Sequence, residues 1–178
     1  FCLSLYSKYY DRPKAGWPFA VRSLGCCSYP PHTRNSMLKH PFHHWIDKNG
    51  RVLDTLTLVH VVKGTGTFRS KPSGKFLAKA GDVLFAYPGV RHWYGFVPKT
   101  GWNDEWLEIE AEGALSILSE AGVSPEMPVL RQCSSRVVSA AFQSLFDLSM
   151  AESDVGLLAA GAYRVLASVL SSHAVSDK

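Results

Sequence analysis

The stretch that decides the fold is GDVLFAYPGVRHWY, residues 81–94. Gly81–Asp82 supplies a tight turn, a mostly apolar strand follows it, and Pro88–Gly89 makes a second turn. His92 lies three residues beyond that glycine, and Tyr94 lies two residues further along the next strand. Alternate residues of a strand point to one face, so His92 and Tyr94 are expected on the same side of a sheet.

Further short strands are predicted on both sides of this stretch. Upstream, TLTLVHVV around residues 57–62 is rich in β-branched residues, and Gly64 and Gly66 follow it. Downstream, residues 105–110 read EWLEIE, and alternation places the tryptophan and the two following carboxylates on one face. Short strands at this spacing, from about residue 23 to residue 111, predict an antiparallel sandwich or barrel.

The character of the chain changes after residue 112. Ala114–Ala121 predicts a short helix. Ser134 or Ser135 caps a second helix, and Ser153–Asp154 begins a third that runs to about His173. The third helix is apolar around most of its circumference, which indicates that it is buried or contacts another protein. We expect both, on different faces.

Composition limits the classes of protein that this chain can be. It has 178 residues, 46% of them apolar, and a formal net charge of +4, which suits one globular domain or a domain with a helical appendage. Lys and Arg are scattered along the chain without a basic cluster, so no nucleic-acid surface is predicted. No apolar run approaches the ~20 residues that span a bilayer.

The N-terminus begins at Phe1 and lacks the features of a signal peptide. We therefore expect a cytoplasmic protein and a chain that is part of a longer gene product. Residues 1–22 are aromatic and basic, and we interpret them as an extended arm that packs on another surface. Four cysteines are interpreted as reduced thiols, with a redox role for the adjacent pair as the alternative: Cys2, Cys26, Cys27 and Cys133.

These motifs resemble a known family. Residues 81–94 are similar to the second cupin motif, and Leu58–Phe68, LVHVVKGTGTF, is similar to the strand and Gly-x-Gly turn that precede it. With NDEWLEIEAEG downstream, the pattern resembles the effector-binding and dimerisation domain of AraC-type bacterial transcription regulators. The resemblance covers about residues 24–112; residues 113–173 match only in type and position, and the family's C-terminal helix-turn-helix pair is absent.

The resemblance implies a fold and a division of the chain. It implies a mainly β protein with C-terminal helices: a cupin-like double-stranded β-helix, or jelly-roll barrel, plus two long antiparallel helices. Residues 1–112 would form the arm and the effector-binding barrel, and residues 113–178 the helical dimerisation region. The arm would fold over the barrel mouth when ligand is bound, and DNA would be bound only by the missing C-terminal domain.

The resemblance also implies a ligand site. The positions that match a sugar-binding pocket are Lys63, His92, Tyr94, Asp104 and Trp106. A tryptophan can stack on the C–H face of a sugar while the other groups bond its hydroxyls, so a small sugar or polyol is the expected effector. The alternative is that the aromatic residues belong to the core and that Lys63 faces water. Glu108 and Glu110 are either ligand contacts or a solvated edge.

The chain departs from metal-binding cupins, which carry a His-x-His pair and a Glu upstream of the turn. Thr57 and Leu53 stand at the corresponding positions, so no catalytic metal and no cofactor are expected. The histidines of KHPFHHW, which are His40, His43 and His44, are interpreted as a surface loop. A stand-alone cupin enzyme such as a sugar isomerase, and a ligand-free scaffold protein, are the alternatives to a regulator.

The third helix is expected to form a homodimer, because apolar residues on two of its faces would otherwise be left in water. Leu166 and Leu170 are the positions where an added charge is predicted to split that dimer.

Overall fold

A computed structural model of the chain describes residues 4–12, 16–32 and 50–176. In chain order the elements are β1 Ser4–Tyr9, β2 Val21–Tyr29, β3 Leu56–Ser70, β4 Gly74–Lys79, β5 Val83–Ala86, β6 His92–Phe96, β7 Trp102–Ile109, α1 Ala114–Glu120, β8 Val129–Leu130, α2 Ser135–Met150 and α3 Val155–Ser176. The protein is therefore mainly β with C-terminal helices, as the sequence predicted.

The long strand β3 organises the sheets, and every strand pairing is antiparallel. Its first half pairs with β7 on one side and β5 on the other, while its second half pairs with β4 and β6. Gly64 lies where the two halves meet, with a φ of +89°. A Cβ there would lie 2.1 Å from the carbonyl oxygen of Gly101, so only glycine allows β7 to approach so closely.

The barrel has an inner and an outer apolar face. Along β3, Val59 and Val61 point inward and pack with Phe68, Trp102 and Trp106. The intervening residues point outward, as the alternation of a strand requires. Leu56 and Leu58 among them join a second core that the barrel shares with the helices.

Helix α2 covers this outer face, and its predicted apolar stripe is confirmed. The buried residues of the stripe are Val138, Ala141, Phe142, Leu145 and Phe146. His60 of β3 is completely buried beneath the helix, where its Nδ1 lies 2.9 Å from the carboxylate of Glu105 and its Nε2 lies 3.3 Å from the hydroxyl of Ser135. The start of α2 is therefore held to the barrel by polar as well as apolar contacts.

Helix α3 packs on α2 and on β2. Leu166 is completely buried in the shared core and Leu170 packs against that core. The prediction that a charge at these two positions would split a dimer is therefore wrong, because it would disrupt packing within the chain. Leu157, at 52% exposure, and Tyr163, at 49%, are the large apolar side chains of α3 that reach the surface most fully in the described residues.

By length and composition alone, Val155–His173 of α3 is apolar enough to cross a membrane, with a mean hydropathy of 1.4. One side of the helix is nevertheless part of the protein core, because Leu158, Ala162, Val165 and Val169 are buried. The core helix of a globular domain has these same properties.

The N-terminal arm is a strand in its described part. β1 pairs with β2 along its whole length, so it extends the sheet at that edge. The hydroxyls of Tyr6 and Tyr10 each lie 2.8 Å from the hydroxyl of Ser149, and the ammonium of Lys8 donates to the Ser149 carbonyl. The prediction that the arm packs on another surface is confirmed for these residues, and the surface is the C-terminal end of α2.

Candidate functional site

An open cavity of about 220 Å³ lies at the end of the barrel beside the arm. Its lining side chains come from β1, β2, β3, β6, β7 and the segment before β3: Tyr9, Tyr10, Arg22, Ser23, Arg51, Leu53, Thr57, Tyr94, Trp106 and Glu108. Aromatic and hydrogen-bonding groups therefore surround the same space, which is the usual composition of a small-molecule site.

Trp106 forms the apolar wall of the cavity and is only 7% exposed. Its indole ring lies over Gly25 of the neighbouring strand β2, where an added Cβ would come within 2.2 Å of a ring carbon. Glycine in the middle of a strand often marks such a close approach. The sequence of β2 therefore helps to set where the indole lies.

Two cations line the cavity, and of these Arg22 pairs with Glu110 at 2.7 Å whereas Arg51 contacts neutral groups. The Nε–H of Arg51 donates to Nε2 of His92 at 3.2 Å, and its Nη2 donates to the hydroxyl of Tyr94 at 3.2 Å. The guanidinium carbon also lies 5.4 Å from the centre of the Tyr94 ring. The carboxylates of the described residues form no ion pair with Arg51, so its charge faces neutral groups and the cavity.

His92 is a neutral hydrogen-bond acceptor behind Arg51. Its pKa is lowered to about 4, chiefly because the buried imidazolium would lose its hydration; the hydrogen bond to Val90 opposes this shift, and the charge of Arg51 adds to it. Its Nδ1–H donates to the carbonyl of Val90 at 3.1 Å, which leaves Nε2 unprotonated for Arg51. The histidine thus orients the guanidinium without competing with it for charge.

Glu108 supplies the negative charge on another side of the cavity. Its carboxylate accepts hydrogen bonds from the hydroxyls of Ser23, at 2.8 Å, and Thr55. The neighbouring hydroxyl of Thr57 is buried and has no protein partner in the described residues. A buried hydroxyl on a cavity wall is normally satisfied by solvent or ligand, so Thr57 is a further contact point.

The phenols of Tyr9 and Tyr94 stay protonated at neutral pH. Burial raises the pKa of Tyr94 to about 12 and also raises the pKa of Tyr9, whose phenol is further disfavoured as an anion by Glu108. Both hydroxyls can therefore act as donors or acceptors toward a bound molecule.

The family of the chain follows from its sequence match over these elements. The model of the AraC-like ligand binding domain matches residues 42–166. The chain belongs to that family. No protein with a curated description matches the chain in sequence.

Solved structures are similar to this AraC-like domain at low sequence identity. The AraC-like transcriptional activator CuxR aligns over 96% of this chain and 61% of its own, with 12% identity and a TM-score of 0.50. YhaK from Escherichia coli aligns over 72% of this chain and 51% of its own, with 16% identity and a TM-score of 0.44. A Cupin 2 conserved barrel domain protein from Salinispora arenicola aligns over 65% of this chain and 84% of its own, with 15% identity and a TM-score of 0.35. The chain thus spans about half of YhaK and 61% of CuxR.

The five residues that the sequence nominated occupy different parts of the AraC-like domain. Tyr94 and Trp106 line the cavity. His92 does not line it, but it accepts a hydrogen bond from the lining residue Arg51. Asp104 lies deeper in the barrel, 5% exposed, where it accepts hydrogen bonds from the thiol of Cys27 at 2.8 Å and the indole of Trp102 at 2.7 Å. Burial raises the pKa of Asp104, and those two hydrogen bonds lower it. Lys63 is exposed and does not line the cavity.

Several lining residues were not singled out from the sequence. Thr57 was noted only as a departure from a metal site, although alternation places it on the same face as the inward Val59. Arg51 lies outside the strands and reaches the site through a single bridge to His92, so no periodicity reveals it. The sequence left two roles open for Glu108, a ligand contact or part of a solvated edge. In the structure Glu108 lies on the cavity wall.

The remaining residues from the sequence analysis are the loop histidines, the cysteines and Glu110. His40, His43 and His44 lie outside the described residues. Cys26, Cys27 and Cys133 form no disulfide within the described part of the chain. Glu110 does not line the cavity; it pairs with Arg12 and with Arg22, and Arg22 is one of the lining residues.

Proposed function

We propose that this domain is the ligand-sensing part of a cytoplasmic bacterial transcription regulator and takes a small sugar or polyol into the barrel cavity. The observation that carries the proposal is the arrangement around that cavity. An indole wall stands among groups of opposite hydrogen-bonding capacity: the guanidinium of Arg51 only donates, whereas the carboxylate of Glu108 only accepts.

A polyhydroxylated molecule uses both kinds of group. Each of its hydroxyls can accept from Arg51 and donate to Glu108, and the hydroxyl of Thr57 has no other partner in the described residues. The C–H face of a sugar ring can meanwhile lie against Trp106. A purely apolar ligand would leave these groups buried without partners, at a cost of about 1–3 kcal/mol for each.

The experiment is a ligand screen with a tryptophan variant. Pentoses, hexoses and the corresponding polyols are tested for thermal stabilisation, and a stabilising compound is then titrated by calorimetry. Trp106→Ala is expected to weaken its binding by about 1–3 kcal/mol, because the stacking surface is removed.

Trp17→Ala is the matched control, because Trp17 is 45% exposed and lies outside the cavity. If a folded Trp106→Ala variant binds the compound as tightly as Trp17→Ala does, then the indole of Trp106 is a core residue and not a ligand contact. Failure of every sugar and polyol to stabilise the protein would contradict the proposed class of ligand.

In the regulator, the sensed molecule controls DNA binding by a C-terminal helix-turn-helix domain beyond this chain, and two copies associate through α3. Membership of the AraC-like family supports the sensing role. A second support is β1, because one of its faces borders the cavity through Tyr9 while the other is bonded to α2 at Ser149. Binding in the cavity is thus connected to the helices by a single strand.

A stand-alone cupin enzyme such as a sugar isomerase is the alternative. That chemistry needs metal ligands at positions where this chain has Thr57 and Leu53. Elemental emission of the purified protein separates the two functions, since the isomerase requires a stoichiometric transition metal and the sensor does not.

A further inference from the structure

A second open cavity, of about 230 Å³, lies on the outside of the barrel. It is formed where the turn after β3 meets the segment before β6, and its lining residues are Arg69, Ser70, Lys71, Arg91, His92 and Trp93. Three of the six are cations and none is a carboxylate. The composition differs from that of the inner cavity, where positive and negative groups are both present.

Strand pairing brings these cations together from distant parts of the sequence. On the outer face, Arg69 of β3 lies between its partners Lys75 on β4 and Trp93 on β6. Lys71 follows β3 in the turn, and Arg91 immediately precedes β6. The sequence shows no basic cluster because these cations are separated along the chain, and they come together only once β3, β4 and β6 have paired.

The part of the sequence that forms this region is rich in cations. Seven of the 19 Lys and Arg residues lie between residues 63 and 101, a span with a single carboxylate, Asp82. Asp82 is completely buried and pairs with Arg131 at 2.5 Å. Lys71 and Arg91 form no ion pair within the described part of the chain, and Arg91 donates only to the neutral carbonyl of Gly50 at 3.2 Å. Such a concave cationic site attracts anions.

We propose that this outer cavity binds a phosphate group of an organic anion, with the phosphate between Lys71, Arg91 and Arg69 and the organic part against Trp93. Three cations that line one cavity suit a phosphate, which carries more charge and more acceptor oxygens than a carboxylate. The indole of Trp93 lies across Gly95, where an added Cβ would come within 3.0 Å of a ring carbon. Its ring therefore offers a stacking surface beside the cations.

The phosphate could come from a small organic phosphate or from the backbone of DNA, and the size of the cavity favours the small molecule. Titrations of the 178-residue chain distinguish these sources. The probes are adenosine monophosphate, pyrophosphate, unphosphorylated adenosine and a short DNA duplex. We expect adenosine monophosphate and pyrophosphate to bind, adenosine not to bind, and affinity to fall when salt is raised from about 50 to about 200 mM.

Charge-removing variants test which residues hold the phosphate. Lys71→Gln and Arg91→Gln are each expected to weaken binding of adenosine monophosphate by about three- to tenfold. Lys71 lies in an exposed turn, so its replacement leaves the fold intact, which a thermal melt checks. The matched control is Arg136→Gln, which removes an exposed cation from α2, away from the cavity, and should bind as the wild type does.

Trp93→Ala should weaken the binding of adenosine monophosphate and leave the affinity for pyrophosphate unchanged, because only the nucleotide has a ring that can stack on the indole. Equal binding of adenosine and its monophosphate overturns the proposal, and so does equal affinity of the Lys71, Arg91 and Arg136 variants. Binding of the duplex without binding of either small phosphate also overturns it, since the face would then be a contact for the DNA backbone. The proposal does not depend on the sugar site, and Trp106→Ala should retain phosphate binding.

Discussion

At the scale of single residues, His92 makes the stability of the barrel depend on pH. Its pKa is about 4 in the folded protein and near 6.5 when the chain is unfolded, chiefly because burial disfavours the charged ring. Between these values the unfolded chain binds more protons, so stability rises with pH and is lost as the pH falls from 6.5 toward 4. The whole difference corresponds to about 3 kcal/mol.

His92→Gln should therefore flatten the pH dependence of the free energy of unfolding, measured by urea denaturation between about pH 7 and pH 4.5. The titration of Asp104 affects the free energy of unfolding in the opposite direction. Burial raises the pKa of Asp104, so this group makes the folded state more stable as the pH falls. The contribution of Asp104 is the same in the wild type and in His92→Gln, so it cancels when the two free energies of unfolding are subtracted. Parallel curves for the wild type and His92→Gln would show that His92 does not carry the effect.

The limits of sequence reasoning are also clearest at this scale. Alternation along predicted strands placed Tyr94 with His92 and Trp106 with Glu108 on common faces, because that rule depends only on neighbours in the chain. That Tyr94 and Trp106 face the cavity was implied by the family resemblance, and both line it. Lys63, two residues beyond the inward Val61, is exposed instead, and the register of β3 against β7 shifts between these two residues. A bulge of this kind reverses the facing of later side chains, and the sequence gives no sign of it except the following Gly64.

At the scale of elements, one buried serine, Ser149, ties β1 to α2, in addition to the pairing of β1 with β2. Ser149→Ala removes the hydroxyl shared by Tyr6 and Tyr10 and leaves the carbonyl that Lys8 contacts. We expect it to lower the free energy of unfolding by about 1–2 kcal/mol and to increase amide hydrogen exchange in β1. Ser144→Ala is the control, because its exposed hydroxyl bonds only within α2. Equal exchange of β1 in the two variants would contradict this role.

The sequence predicted well the elements that have a periodic apolar pattern of their own. It did not predict the elements that are defined by pairing with a distant strand. The α2 helix begins at Ser135 after the Ser134 cap position, and its buried stripe follows from spacing alone. The two-residue strand β8 was missed because Pro128 marks a break and nothing local indicates that Val129 pairs with Leu84 of β5. The arm was expected to be extended, but its pairing with β2 is a contact between separate segments that the pattern does not encode.

At the scale of the whole molecule, the proposed dimer predicts a specific surface on α3. Wild-type protein should sediment at twice the 19.6 kDa chain mass at micromolar concentration. Leu157→Glu should give a folded monomer, because Leu157 is 52% exposed and a twofold contact would place the two new charges close together. Met127→Glu, at a 65% exposed position in the loop before β8, should remain dimeric. A monomeric wild type, or a dimeric Leu157→Glu variant, removes α3 from the interface.

His92 has a consequence that extends beyond its own titration. It lines the outer cavity, and in the inner cavity the same ring accepts the hydrogen bond that orients Arg51. A molecule that shifts this ring from one side changes the free energy of binding on the other, and thermodynamic linkage makes the effect equal in both directions. If both proposed ligands bind, this single imidazole between the two cavities would make the affinity for each ligand depend on the concentration of the other.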